Sequence, residues 1–301
     1  MGILTRKKRL YILIVLLILI AGANFLSVRQ KERLEKRKAA WVNLGRILEE
    51  RIKSSSLDAG LVIEDFRMNL RVIYNADKPF AAASLVKVPI MLACFYADDK
   101  KKINLKDSVI LKSAQKVSGS GILKDMPGGT SLTIEELVDL MITQSDNTAC
   151  NMLIDLLGFD YINDFFQALG LKDTNLSRKM MAFRARRKGI ENYTTARDMA
   201  FCLEIIYRNK FLGPGVSRRA VSLLKKQEVN DRIPARLPDS VPVAHKTGLE
   251  RKICHDVGIM FTPGGDFLVC VLTKNAKNTK LAKRFIAQIA LDVFEYAKNF
   301  R

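Results

Sequence analysis

The chain has 301 residues, of which 48% are hydrophobic and 27% charged, proportions that exclude a disordered or fibrous polymer and leave a globular protein. Fifty Lys+Arg against 31 Asp+Glu give a formal net charge of +19. Residues 1–46 hold 11 basic and 2 acidic side chains, a net of +9, leaving +10 on the other 255. Such a skew suits a membrane surface or nucleic acid. No nucleic-acid-binding motif accompanies it, so nucleic acid is not expected as a partner. The five cysteines stand apart with no C-x-x-C pair, and only His245 and His255 could assist them. Neither a metal site nor a cofactor is therefore expected, and the odd cysteine count argues against a complete disulfide framework.

In chain order, Arg6-Lys-Lys-Arg9 precedes an uncharged run over residues 10–28. As a helix this run is about 28 Å long, close to the thickness of a bilayer core. Two readings stand. Residues 1–28 form a basic tail and a single-pass signal anchor, or a signal peptide cleaved near Ala21-Gly-Ala23. Either puts the rest of the chain outside the cytoplasm, at the cell membrane or secreted. Residues 29–56 read as a helical stalk and first helix, with Trp41, Leu44, Ile47, Leu48 and Ile52 at helical spacing. The main domain is expected over 57–301.

Residues 60–66 and 70–74 predict a β-hairpin around Met68-Asn69. Residues 84–97 predict an apolar helix, and Thr133-Ile-Glu-Glu136 has capping-box spacing for another. Helical stretches continue to about residue 226. Strands follow near 241–249 and 256–262, then a turn at Thr262-Pro-Gly-Gly-Asp266 into a strand over 267–273. A final helix over 279–299 puts Leu281, Phe285, Ile289 and Val293 on one face. Strands at both ends and helices between predict an α/β (α+β) fold of two lobes. One lobe is a five-stranded antiparallel sheet flanked by helices, the other all-helical.

S-x-x-K occurs at Ser84–Lys87, Ser113–Lys116 and Ser222–Lys225, although composition alone predicts about one match per 300 residues. Context separates them. Ser84 opens an apolar helix, where the positive end of the helix dipole favours a developing alkoxide. Lys87 lies one turn on, and burial there lowers a lysine pKa toward that of a usable base. Ser113 and Ser222 have charged neighbours that keep a lysine solvated. Ser145-Asp-Asn147 and then Lys246-Thr-Gly248 follow in order, each a tripeptide expected in roughly one such chain in twenty.

This ordered set resembles the class A β-lactamase-like serine hydrolases of the β-lactamase and penicillin-binding protein superfamily. The likeness runs from about Leu57 to Phe300, with support from Tyr74-Asn-Ala-Asp77, Gly119-Ser-Gly-Ile-Leu123 and His255-Asp-Val-Gly258. The resemblance implies Ser84 as nucleophile, Lys87 as base and Ser145 as proton shuttle. It implies Asn147, Lys246, Thr247, Gly248 and Leu249 as substrate-binding residues. The backbone N–H groups of Ser84 and Leu249 would form the oxyanion hole. A β-lactam or peptidoglycan-type D-alanyl peptide is the implied substrate.

One part of the family pattern is missing. The loop whose glutamate hydrolyses the acyl-enzyme aligns so that Met180 takes the glutamate position. Register error does not rescue it, because residues 174–190 contain no Asp or Glu. Arg178, Lys179, Arg184, Arg186, Arg187 and Lys188 crowd the segment instead and predict a positive edge to the cleft. Glu191 is the nearest candidate for a substitute base. Slow deacylation is therefore expected. The alternatives carried are a noncatalytic cell-wall binding module and a penicillin-sensing protein.

Overall fold

The computed structural model describes residues 6–275 and 278–300, without the side chains of residues 6, 9, 10, 12–15, 17, 18 and 21. The chain divides into two compact units, Met1–Ile47 and Leu48–Arg301. One helix, α1 (Arg6–Ser54), runs through the first and into the second. In the first unit Tyr11, Leu19, Ile20, Phe25, Leu26 and Val28 are all more than half exposed. Among the described residues no helix is long and apolar enough to cross a membrane. Eight side chains of the expected 10–28 span lie outside the described residues.

The second unit begins earlier than residue 57, because Leu48 and Ile52 of α1 are fully or almost fully buried. Its sheet has the order β2-β1-β9-β8-β7, with all pairs antiparallel. The strands are β1 (Asp58–Asp65), β2 (Leu70–Tyr74), β7 (Val243–Glu250), β8 (Ile253–Thr262) and β9 (Gly265–Lys274). The two ends of the chain thus meet in one sheet, as the element order predicts. The β1–β2 hairpin turns at Asn69, in the left-handed conformation with φ 51° that asparagine tolerates. Phe267 to Thr273 on β9 are all buried, so both faces of the central strand are covered. The apolar run has no polar alternation for that reason.

The helical lobe contains α2 (Lys87–Asp99), α3 (Ile134–Thr143), α4 (Asn147–Leu157), α5 (Phe159–Leu169), α6 (Phe183–Arg187), α7 (Ala196–Tyr207) and α8 (Gly213–Leu224). Thr133 caps α3 by accepting the Glu136 N–H at 3.1 Å, and Glu136 accepts the Thr133 N–H at 2.7 Å. Two short pairs escape sequence analysis, β3 (Phe80–Ala81) with β6 (Tyr193–Thr194) and β4 (Ser108–Ile110) with β5 (Ser131–Thr133). At two or three residues each they are too short to show a period.

The last helix, α9 (Thr279–Lys298), buries a face rotated from the expected one. Ile289 and Val293 are buried, but Leu281 is 52% exposed and Phe285 is partly exposed; Ala282, Ile286 and Ala290 take the inward positions. Small residues let the helix lie closer to β8 and β9. All five cysteines are buried free thiols.

Gly258 on β8 faces His245 on β7, and a Cβ there would lie 2.5 Å from His245 Cβ and 2.8 Å from the Ala244 carbonyl. Gly258→Ala is therefore expected to destabilise the domain by about 2–3 kcal/mol. Urea unfolding followed by circular dichroism measures it.

Candidate active site

The segment before Ser84 is held from two sides. The Ala82 N–H donates to the Asn192 carbonyl at 2.7 Å, and β3 pairs with β6. His255 Nε2 lies 3.0 Å from the Ala81 carbonyl, while His255 Nδ1 accepts the Thr273 N–H at 3.0 Å. That acceptor role puts the ring proton on Nε2, where it is donated to Ala81. Burial pushes the His255 pKa down to about 4, which keeps the ring neutral. These contacts hold Ala83 at φ 47°, a left-handed conformation unfavourable for a residue with a Cβ. The chain then enters a 3₁₀ turn, Ala83–Val86, which leads into α2.

Lys87 opens α2 and is completely buried. Its Nζ donates to the Ser145 carbonyl at 2.5 Å and Asn147 Oδ1 at 2.8 Å, and lies 3.3 Å from Ser145 Oγ. Lys246, also fully buried, donates to the same Ser145 Oγ at 2.9 Å and to the Thr247 carbonyl at 3.1 Å. Two ammonium groups thus converge on one hydroxyl, and no carboxylate hydrogen-bonds either of them among the described residues. Burial brings the Lys87 pKa down to about 8, against a weaker upward pull from Cys150 and Asp146. Burial and then the nearby Lys87 charge hold Lys246 well below its usual range. Asp146 is itself occupied. Its carboxylate caps α4 through the Ala149 N–H at 2.9 Å and accepts the Leu123 N–H at 2.9 Å.

Ser84 lines a cavity of about 330 Å³ with Asn147, Met180, Phe183 and Leu249. Ser84 Oγ makes no hydrogen bond to Lys87 or to any other described residue. Gly248 runs close to the turn that carries it, since a Cβ there would lie 3.2 Å from Leu85 Cγ and 3.4 Å from the Ala82 carbonyl. The expected residues therefore gather at one place. Lys87, Ser145, Asn147 and Lys246 are buried and joined by hydrogen bonds, and Asn147 lines the cavity together with Ser84 and Leu249.

The loop after α5 carries no acid into this cavity. Met180 is buried in its wall, docked on α4 by its N–H to Asn151 Oδ1 at 2.8 Å and by Asn151 Nδ2 to its carbonyl at 3.1 Å. Glu191 is not free to replace it. Its two oxygens pair with Arg178 at 2.7 Å and Arg186 at 3.2 Å, and the Asn192 N–H donates to it at 2.8 Å. Arg178 and Arg186 also pair with Glu250, each at 2.9 Å, closing a ring of alternating charges. Arg178 is only 4% exposed, and its carboxylate partners outweigh burial to hold its pKa above the usual value. Lys179 pairs with Asp155. Three of the six cations are thus paired, and Arg184, Arg187 and Lys188 have no ion pair among the described residues.

Sequence analysis missed the brace behind Lys246. His245 Nδ1 lies 2.9 Å from Asp256 Oδ1, and its Nε2 lies 3.0 Å from Asn230 Oδ1. Asp256 Oδ2 accepts the Ile233 N–H at 3.0 Å, and buried Arg232 donates to Cys254 Sγ at 3.3 Å. The alternation of β7 with β8 was the available signal, since it pairs His245 with Gly258 and Thr247 with Asp256. Among the described residues no group of three or more His, Cys, Asp or Glu could hold a metal ion.

A serine at a helix start, beside a buried lysine pair joined by a second serine, defines a serine hydrolase of acyl-transfer type. The comparisons agree, for a model of the β-lactamase enzyme family matches residues 43–297 and the chain belongs to that family. It is 24% identical over 274 residues to β-lactamase VEB-1 of Pseudomonas aeruginosa, covering 85% of this chain and 91% of the relative. It is 30% identical over 223 residues to CTX-M-8 of Citrobacter amalonaticus, covering 73% and 76%. Among solved structures, a β-lactamase from Sphaerobacter thermophilus superposes with TM-score 0.79 at 32% identity, covering 85% of this chain and 97% of that one. PBP-A superposes with TM-score 0.79 at 27% identity, covering 85% and 96%. A PBP-A variant has been solved as an acyl-enzyme complex with penicillin G.

His255→Leu removes the donor to Ala81 and frees the turn before Ser84. Covalent labelling by a fluorescent penicillin is expected to slow roughly 10- to 100-fold, the scale of an ångström-sized misplacement. Stopped-flow labelling of the folded variant checks this.

Proposed function

We propose that the protein is a membrane-anchored serine hydrolase that is acylated on Ser84 by β-lactams or D-alanyl peptides and releases the acyl group slowly. The observation that carries this reading is Met180 in the cavity wall beside Ser84, with Glu250, the acid that lines the same cavity, and Glu191 behind it both locked between Arg178 and Arg186. Acylation needs a base. Neutral Lys87 has two N–H bonds, matched to the Ser145 and Asn147 oxygens, and a lone pair left to take the Ser84 proton. Ser84 Oγ then bonds to the carbonyl carbon, and the oxyanion is held by the backbone N–H groups of Ser84 and Leu249. As the carbon–nitrogen bond breaks, Ser145 Oγ gives its proton to the leaving nitrogen and is reprotonated by Lys87. Lys246 and Thr247 hold a substrate carboxylate, and Asn147 the amide beside the reacting bond.

Deacylation needs a second base to activate water. General-base assistance is typically worth 10²–10⁴-fold, so its absence favours accumulation of the acyl-enzyme. The acyl-enzyme complex of a PBP-A variant with penicillin G supports acylation at this kind of site. The exposed apolar side chains between Tyr11 and Val28 support the anchor, since a soluble surface rarely leaves so many uncovered. On this reading residues 10–28 sit in the cell membrane and the catalytic unit lies outside the cytoplasm.

Three results are expected. Penicillin gives a stoichiometric burst with a mass shift on Ser84 and little sustained turnover, and Ser84→Ala abolishes labelling; rapid multiple turnover by the unmodified protein would overturn slow release. The acylation rate rises with pH and levels off above about 8, because Lys87 acts as a base only after losing its proton and its pKa is about 8; a pH–rate profile of labelling reads this directly. Protease added to intact spheroplasts digests the catalytic unit, and its protection there would contradict the assigned location.

A further inference from the structure

A second cavity, about 530 Å³ and larger than the one at Ser84, lies within the catalytic unit between the end of α1, the 3₁₀ turn Ile233–Arg236 and α9. It falls in the size range of ligand pockets. Three of its lining residues are arginines, Arg51, Arg236 and Arg284, and none is acidic. Leu57, Leu281 and Phe285 supply an apolar side.

Part of the cationic wall is tethered. Arg236 Nη1 donates to Gln288 Oε1, Gln288 Nε2 donates to Asp292 Oδ1 at 2.9 Å, and Asp292 binds Arg51 through both oxygens. This chain of hydrogen bonds fixes two guanidinium groups across the cavity. Asp292 compensates Arg51, but among the described residues Arg236 hydrogen-bonds only the neutral amide of Gln288. Arg284 has no partner among the described residues. Two positive charges therefore face an apolar surface that includes the half-exposed Leu281.

We infer that this cavity binds a small amphiphilic anion, with its carboxylate or phosphate head on Arg236 and Arg284 and a single hydrocarbon group along Leu281 and Phe285. A free, monomeric amphiphile is the occupant, because the cavity takes one head and one short chain and not the paired chains of a bilayer lipid. The site is separate from Ser84, and the inference does not depend on the acylation reading.

The test is calorimetric titration of the full chain, held in zwitterionic nanodiscs, with octyl phosphate. Inorganic phosphate and octanol serve as the two halves of the ligand, and empty nanodiscs as the blank. One-to-one binding is expected, about ten-fold weaker in each of Arg284→Glu and Leu281→Asp. Both positions are solvent-facing, and an unchanged circular dichroism spectrum and thermal unfolding midpoint establish that the variants fold. Each half-ligand is expected to bind at least about ten-fold more weakly than the whole. Wild-type affinity in an Arg236→Glu/Arg284→Glu double variant would overturn the inference. So would inorganic phosphate binding as well as octyl phosphate, or heat that matches the empty nanodiscs. Binding to phosphatidylglycerol vesicles without binding of the monomer would assign the surface to lipid and reject the free ligand.

Discussion

Everything near Ser84 depends on how two buried lysines coexist around a single hydroxyl. A buried ammonium is costly unless paired, and among the described residues no carboxylate hydrogen-bonds Lys87 or Lys246. Burial lowers both lysine pKa values, so each ammonium gives up its proton more readily than an exposed one. The carbonyl of Ser145 and the side-chain oxygen of Asn147 accept from Lys87 whether it carries two or three hydrogens. On the proposed reading Lys87 is a base held without a carboxylate partner, and the thioether of Met180 lines the wall where that reading would look for an acid.

The ring of Arg178, Glu191, Arg186 and Glu250 serves the same cavity from outside. It joins the loop that carries Met180 to the end of β7, one residue beyond Leu249. Each carboxylate bridges both guanidiniums, so losing one partner leaves an uncompensated charge in a largely buried setting. The loop, whose only described helix is the short α6, is thereby held against the strand that borders the site. Neutrality of the ring also explains why so basic a segment does not repel itself away from the domain.

The site was legible where its chemistry is local in sequence. Ser84–Lys87, Ser145–Asn147 and Lys246–Gly248 each sit on one turn or one strand, and their order carried the family pattern. The hairpin at Asn69 and the Thr133 cap were legible for the same reason. What stayed hidden depends on tertiary pairing. His255 meets Ala81 across 174 positions, and Glu250 meets Arg178 across 72; no local pattern announces either. The inward face of α9 differs from the expected one because Ala282 and Ala290, not Leu281 and Phe285, take the inward positions. Against a sheet the closer approach of Ala282 and Ala290 decides the rotation.

The five sequestered thiols carry a consequence for how the molecule can be handled. Burial raises all of them, Cys150 to about 11 despite two lysines nearby. A thiol in that state is a poor nucleophile toward alkylating reagents. The native protein therefore has little sulfur chemistry to offer an electrophile. The same residues become reactive once the core opens, so the rate at which alkylating reagents consume them is an internal clock for opening.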